Sequence, residues 1–191
     1  MFEALWLSTA VIFVAELGDK SQLMAMTFAT RYRVRDVLLG ITLATAVVHL
    51  ASVGIGYWIG EGFERYQSGI AIAAGVAFLG FAAWTLRGDS LSEEEENRAK
   101  RVTGSALMAV AFAFFLAELG DKTMLATITL AVRENWFGVW IGSTVGMVAA
   151  DALAIVVGAV LGKRLPENVI RYGAAAAFAV FGVLLIVEGL R

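Results

Sequence analysis

Six stretches of this chain, at roughly 5–30, 36–61, 68–86, 104–131, 137–161 and 168–188, are apolar for long enough to cross a bilayer, whose hydrocarbon core takes about 20 residues of helix. Their polar breaks are short, and only 17% of the residues are charged, against about 25% in ordinary soluble domains. A soluble protein could not cover its surface with such a sequence. A helix satisfies its own backbone hydrogen bonds in lipid, so no strand pattern is required. The expected fold is an all-α membrane protein with six transmembrane helices. Met1-Phe2-Glu3 has no positive flank and the first apolar run is long, so this run is expected to be a span and not a cleaved signal. Gly54, Gly56, Gly60, Gly75, Gly80, Gly142, Gly146, Gly158 and Gly162 suit close helix packing in lipid.

Lys and Arg fix the expected orientation. Arg31, Arg33, Arg35, Arg87, Arg98, Lys100, Arg101, Lys163, Arg164 and Arg171 fall on one side of the spans, and Arg65, Arg133 and Arg191 on the other. The positive-inside rule puts the first group in the cytoplasm and both termini outside. The longest loop, 87–103, carries Glu93 to Glu96 and is expected to be a solvated cytoplasmic segment. Net charge is −2, and no basic face recurs along a segment, so nucleic acid is not an expected partner. Cys is absent and His49 is the single histidine, which rules out disulfides and thiolate chemistry.

The chain also repeats itself. Residues 13–31 read FVAELGDKSQLMAMTFATR and residues 115–133 read FLAELGDKTMLATITLAVR. The same offset, 118 − 16 = 102, relates Gly40 to Gly142, Thr42 to Thr144, Gly56 to Gly158, Gly60 to Gly162 and Gly80 to Gly182. Residues 1–86 and 104–191 are therefore read as two three-helix repeats joined by the acidic loop. Three crossings is an odd number, so the second copy enters the membrane from the opposite side. The expected architecture is a pair of inverted repeats, as in many secondary transporters.

Within each copy an acidic pair interrupts the apolar run: Glu16 with Asp19, and Glu118 with Asp121. The i, i+3 spacing places each pair on one face of a continuous helix, and the inverted symmetry brings the two faces together at mid-membrane. One carboxylate at a helix centre costs about 2.5–3.5 kcal/mol on insertion scales, so four need a functional reason. Simple i, i+4 ion pairs, Glu16 with Lys20 and Glu118 with Lys122, would leave the two aspartates unexplained. Gly18 and Gly120 let the helix bend or unwind. Ser21 and Thr123 offer hydroxyl oxygens and Gln22 an amide oxygen as candidate further ligands. An oxygen-only, strongly negative cluster selects hard divalent cations such as Mn²⁺, Ca²⁺ or Mg²⁺. His49 and Asp151, again 102 apart, fall near mid-span and are read as charge-balancing or proton-coupling groups with Lys20 and Lys122.

Charge arithmetic suggests exchange. Four motif carboxylates, two lysines and one divalent cation sum to zero. Without the metal, protons can neutralise the excess. Metal and protons then compete for one site, which under alternating access is antiport. A passive divalent-cation channel and an exporter of another small solute are the alternatives. An intramembrane protease does not fit. Glu16 and Glu118 stand where the aspartyl type needs its first Gly, and no Gly-x-Ser-Gly accompanies His49. No enzyme activity and no resident cofactor are expected.

Glu16-Leu17-Gly18-Asp19-Lys20-Ser21 and Glu118-Leu119-Gly120-Asp121-Lys122-Thr123 resemble the paired E-x-G-D-[KR]-[ST] signatures of the Gdt cation-transporter family, which includes bacterial manganese exporters of the MneA and Mnx type. The resemblance covers the whole chain. It implies Mn²⁺ and Ca²⁺ transport against protons across the inner (plasma) membrane, with Glu16, Asp19, Glu118 and Asp121 as metal ligands and Ser21 and Thr123 as helpers. A homo-oligomer is compatible with the sequence. One departure stands out: the first motif continues with Gln22, the second with Met124, and a thioether is a poor ligand for a hard cation.

Overall fold

The computed structural model describes residues 1–62, 67–87, 105–161 and 167–191. The loop 88–104 with its four consecutive glutamates, and Gly162, lie outside these. The described residues form eight helices and no strand: α1 (Phe2–Glu16), α2 (Lys20–Ala29), α3 (Val34–Gly62), α4 (Gln67–Arg87), α5 (Ala106–Glu118), α6 (Lys122–Ala131), α7 (Trp136–Leu161) and α8 (Glu167–Gly189).

Four of these, α3, α4, α7 and α8, are individually long and apolar enough to span a bilayer. The first and fourth expected spans are each broken into two shorter helices, α1 with α2 and α5 with α6. The breaks fall at Gly18 and Gly120, where the helix is expected to bend or unwind, and the cause is local. Leu17 and Leu119 turn to extended backbone, with φ −61 and ψ 122 and with φ −66 and ψ 115. Gly18 and Gly120 then take the left-handed conformation at φ 76 and φ 78, which a residue with a Cβ adopts only at a cost. Asp19 and Asp121 restart the chain as the N-caps of α2 and α6. The helices themselves require no special sequence, since leucine, alanine and phenylalanine runs in lipid have no competing backbone partner.

Helix pairs repeat with the same offset. α1 lies along α7 in the same direction: Gly138 meets Met1 and Ala4, Gly142 meets Ser8, and Gly146 meets Thr9 and Phe13. At the equivalent positions Gly40 of α3 meets Leu107 and Val110 of α5. A Cβ at Gly146 would stand 2.6 Å from the Thr9 carbonyl oxygen, so glycine is what allows this approach. α4 and α8, which correspond by the offset, run antiparallel, with Gly75 against Gly182 and Ser68 against Gly189. Phe78, Phe81, Phe178 and Phe181 interlock between them, with Phe78 and Phe181 ring centres 4.8 Å apart. Gly54 and Gly80 have open space where a Cβ would stand, so packing does not explain those two.

The burial pattern is that of a membrane protein. Trp6, Trp58, Met108, Phe112, Val180 and Leu184 face outward, whereas Ser8, Glu16, Asp19, Gln22, His49 and Asp151 are buried. Polar groups inside and large apolar groups outside is the arrangement a hydrocarbon solvent selects. The chain is thus a multi-pass helical membrane protein.

Candidate cation site

Both motifs fold in the same way. Glu16 is the last residue of α1 and Glu118 the last of α5, while Asp19 and Asp121 cap the following helices. The members of each acidic pair therefore do not share one continuous helix face, as their spacing predicts; they flank a two-residue turn, Leu17-Gly18 or Leu119-Gly120. The break leaves both carboxylates of each motif buried.

The motif side chains read as candidate ligands or charge-balancing groups are buried, namely Glu16, Asp19, Ser21, Gln22, Glu118, Asp121, Lys122 and Thr123, except that Lys20 is half-buried. The glutamates are held alike. The Ser21 hydroxyl donates to Glu16 Oε1, and the Thr123 hydroxyl donates to Glu118 Oε2 at 2.9 Å. The second oxygen of each, Glu16 Oε2 and Glu118 Oε1, is buried and accepts no hydrogen bond among the described residues. Buried carboxylate oxygens are normally satisfied, so these two retain acceptor capacity that no described residue uses. Ser21 and Thr123 thus each hold one glutamate through their own hydroxyl.

The two half-sites meet. Lys122 of the second motif forms a buried ion pair with Asp19 of the first. Glu16 and Glu118 lie within electrostatic reach of each other and of Asp19 and Asp151. Asp151 on α7 is buried, and neither of its oxygens has a hydrogen-bond partner among the described residues. Its counterpart His49 on α3 is buried too, with Nδ1 unpartnered. Gln22 is fully engaged: its Oε1 accepts from the Gly18 N–H at 2.8 Å and its Nε2 donates to the Ala150 carbonyl at 2.9 Å. Met124 takes the equivalent place in the second motif, with Sδ 3.2 Å from the Gly120 nitrogen. Among the described residues no three acidic or histidine side chains form a ready-made metal cage; the ammonium of Lys122 holds Asp19 in this conformation. The trans pairing was not readable from the motif, whose local spacing suggested Lys122 with Glu118.

The turn itself is testable. No neighbour lies within 4 Å of a Cβ built on Gly120, so Gly120→Ala should lose only the backbone term of a left-handed residue, about 1–2 kcal/mol. The expected result is a lower unfolding midpoint in detergent, with Gly120→Asn less affected because Asn tolerates this conformation. Equal stability of Gly120→Ala and the parent would contradict the geometry.

Buried acidic side chains beside paired helix breaks in a multi-pass membrane protein suit a cation transporter, and the family comparison gives that class. The chain belongs to the divalent cation/proton antiporter GDT1 family, whose profile matches residues 4–93 and 106–191. It is 32% identical over 185 residues to a Vibrio cholerae protein named "Putative manganese exporter", covering 93% of this chain and 88% of that one. It is 29% identical over 205 residues to GDT1-like protein 3 of Arabidopsis thaliana, with 96% and 70% covered. It is 31% identical over 200 residues to the chloroplastic Protein PAM71-homolog of Arabidopsis thaliana, with 90% and 56% covered. No solved structure matches the chain.

Proposed function

We propose that this protein exports Mn²⁺, and also Ca²⁺, from the cytoplasm in exchange for protons. The observation that carries the reading is the pair of glycine breaks that bury Glu16, Asp19, Glu118 and Asp121 around the Lys122–Asp19 contact. These four carboxylates are the metal ligands in this reading, and Ser21 and Thr123 hold the glutamates in place. Lys20, Lys122, His49 and Asp151 balance charge and pass protons. A divalent cation neutralises the excess negative charge in one state of the cycle and protons do so in the other, because an uncompensated charge in a low-dielectric interior is costly. Manganese is preferred as cargo because the Vibrio cholerae relative is named for it and because an all-oxygen donor set suits a hard cation.

In this reading residues 1–86 and 104–191 are two inverted three-helix repeats with six spans, each broken helix pair counting as one crossing. Two features support inversion. The equivalent helices α4 and α8 run antiparallel. Thr45 donates to the sulfur of Met147, 102 positions on, at 3.2 Å, and a residue that touches its own counterpart lies on a twofold axis. In this reading the protein resides in the plasma membrane with both termini outside and the acidic loop in the cytoplasm, the orientation that the Lys and Arg distribution favours.

The test is Mn²⁺ uptake into proteoliposomes with an imposed pH gradient. The expected result is accumulation above the external concentration when the lumen is acidic, collapsing when the gradient is dissipated. Flux that follows voltage and ignores the pH gradient would establish a channel instead, and uptake of organic solutes unaffected by Mn²⁺ would establish a different exporter.

A further inference from the structure

The two half-sites are alike in backbone and unlike in what holds them. Asp19 and Asp121 have φ −78 and ψ 162, and φ −76 and ψ 168, and the preceding glycines differ by two degrees. At the first break, the Gln22 amide bonds the Gly18 N–H through its oxygen and the Ala150 carbonyl through its nitrogen. Only one orientation of the amide satisfies both, so the side chain is fixed. It ties the break to α7 one residue before Asp151. At the second break, the thioether of Met124 is a weak acceptor with no donor. The carbonyl equivalent to that of Ala150, on Val48, accepts from the Ser52 hydroxyl at 2.7 Å instead. Gly120 and Leu119 are exposed, whereas Gly18 and Leu17 are half-buried.

We propose that Gln22 is a positioning residue that makes the first half-site the rigid, cation-retaining one, and that Met124 leaves the second half-site deformable, so that it opens first on release. This rests on the reading of the motif acids as the cation site. A pre-organised pair of ligands binds without the cost of ordering itself, and a yielding pair releases without breaking a strong support. The division of labour follows from one side chain per repeat, so exchanging those two side chains reverses it.

The experiment measures KM and maximal rate for Mn²⁺ uptake in proteoliposomes containing the full chain. Gln22→Met is expected to raise KM about tenfold, the effect of losing support for a ligand, with the maximal rate within about twofold of the parent. Met124→Gln is expected to lower KM and to slow turnover several-fold. The exchange variant Gln22→Met/Met124→Gln is expected to regain much of the parental KM, because one braced half-site is again present; structural damage alone would leave its KM at least as high as that of Gln22→Met. A KM for Gln22→Met within twofold of the parent, or an exchange variant whose KM is no lower than that of Gln22→Met, overturns the proposal. If Gln22→Met does not fold, Met124→Gln decides alone, since it removes no strong contact: a lower KM supports the proposal and an unchanged one overturns it. Glu16→Gln, assayed in parallel, separates the two readings. Normal transport by that variant overturns the site itself, whereas loss of transport there beside a parental KM in Gln22→Met overturns only the role of Gln22.

Discussion

Glu16→Gln is expected to lower Mn²⁺ uptake by at least about a hundredfold, since removing even a group that merely orients a metal ligand costs 10–100-fold. The variant keeps the shape of the side chain and the acceptor that the Ser21 hydroxyl engages. What it loses is the negative charge and the buried oxygen that no described residue partners. A neutral amide is cheaper to bury than a carboxylate, so the protein should fold and unfold at or above the parental midpoint. Glu118→Gln should behave in the same way, because Thr123 holds that glutamate as Ser21 holds Glu16. Loss of transport with retained stability is the signature of a group kept for function. Parental flux in either variant would show that the glutamates are not ligands.

Asp19→Ala is expected to destabilise the protein by about 3–5 kcal/mol, the usual cost of breaking a buried ion pair from one side. The buried ammonium of Lys122 then loses the carboxylate it contacts. Lys122→Met should cost a similar amount by stranding the charge of Asp19. The double variant Asp19→Ala/Lys122→Met buries neither charge and should recover most of the stability, because replacing a whole buried pair is often neutral. Transport should be absent from all three. Equilibrium unfolding in detergent, arranged as a double-mutant cycle, measures the coupling directly. A coupling near zero would mean that the two motifs are not energetically joined through this contact.

Much of the architecture was legible because lipid imposes simple rules. Apolar length marks each crossing, and the offset from Glu16 to Glu118 exposes the duplication before any coordinate is known. The acids were legible for the same reason, since Glu16 or Asp151 in hydrocarbon demands an explanation. The break was only half legible. Spacing alone put Glu16 and Asp19 on one helical face, and the signals against that were a glycine followed by aspartate, a helix-capping residue, with Ser21 two residues on to receive it. Propensity arguments lose force there because a left-handed glycine is chosen by what surrounds it. The Lys122–Asp19 pair was not legible at all. It joins residues of different repeats, and only the three-dimensional approach of α1 and α6 brings them together. Gln22 was read as an oxygen donor to metal, whereas both ends of its amide are used within the chain.

The Lys122–Asp19 contact is borrowed from opposite halves of the molecule, and this makes it an interlock. Any rearrangement that draws the halves apart must separate the ammonium from the carboxylate inside a medium that resists separated charge. In the proposed exchange cycle the molecule changes its facing only when another positive species, arriving from either aqueous phase, takes over the vacated carboxylate. A leak would require that handover to be skipped, so the same contact that fastens the halves also guards the gradient across the membrane.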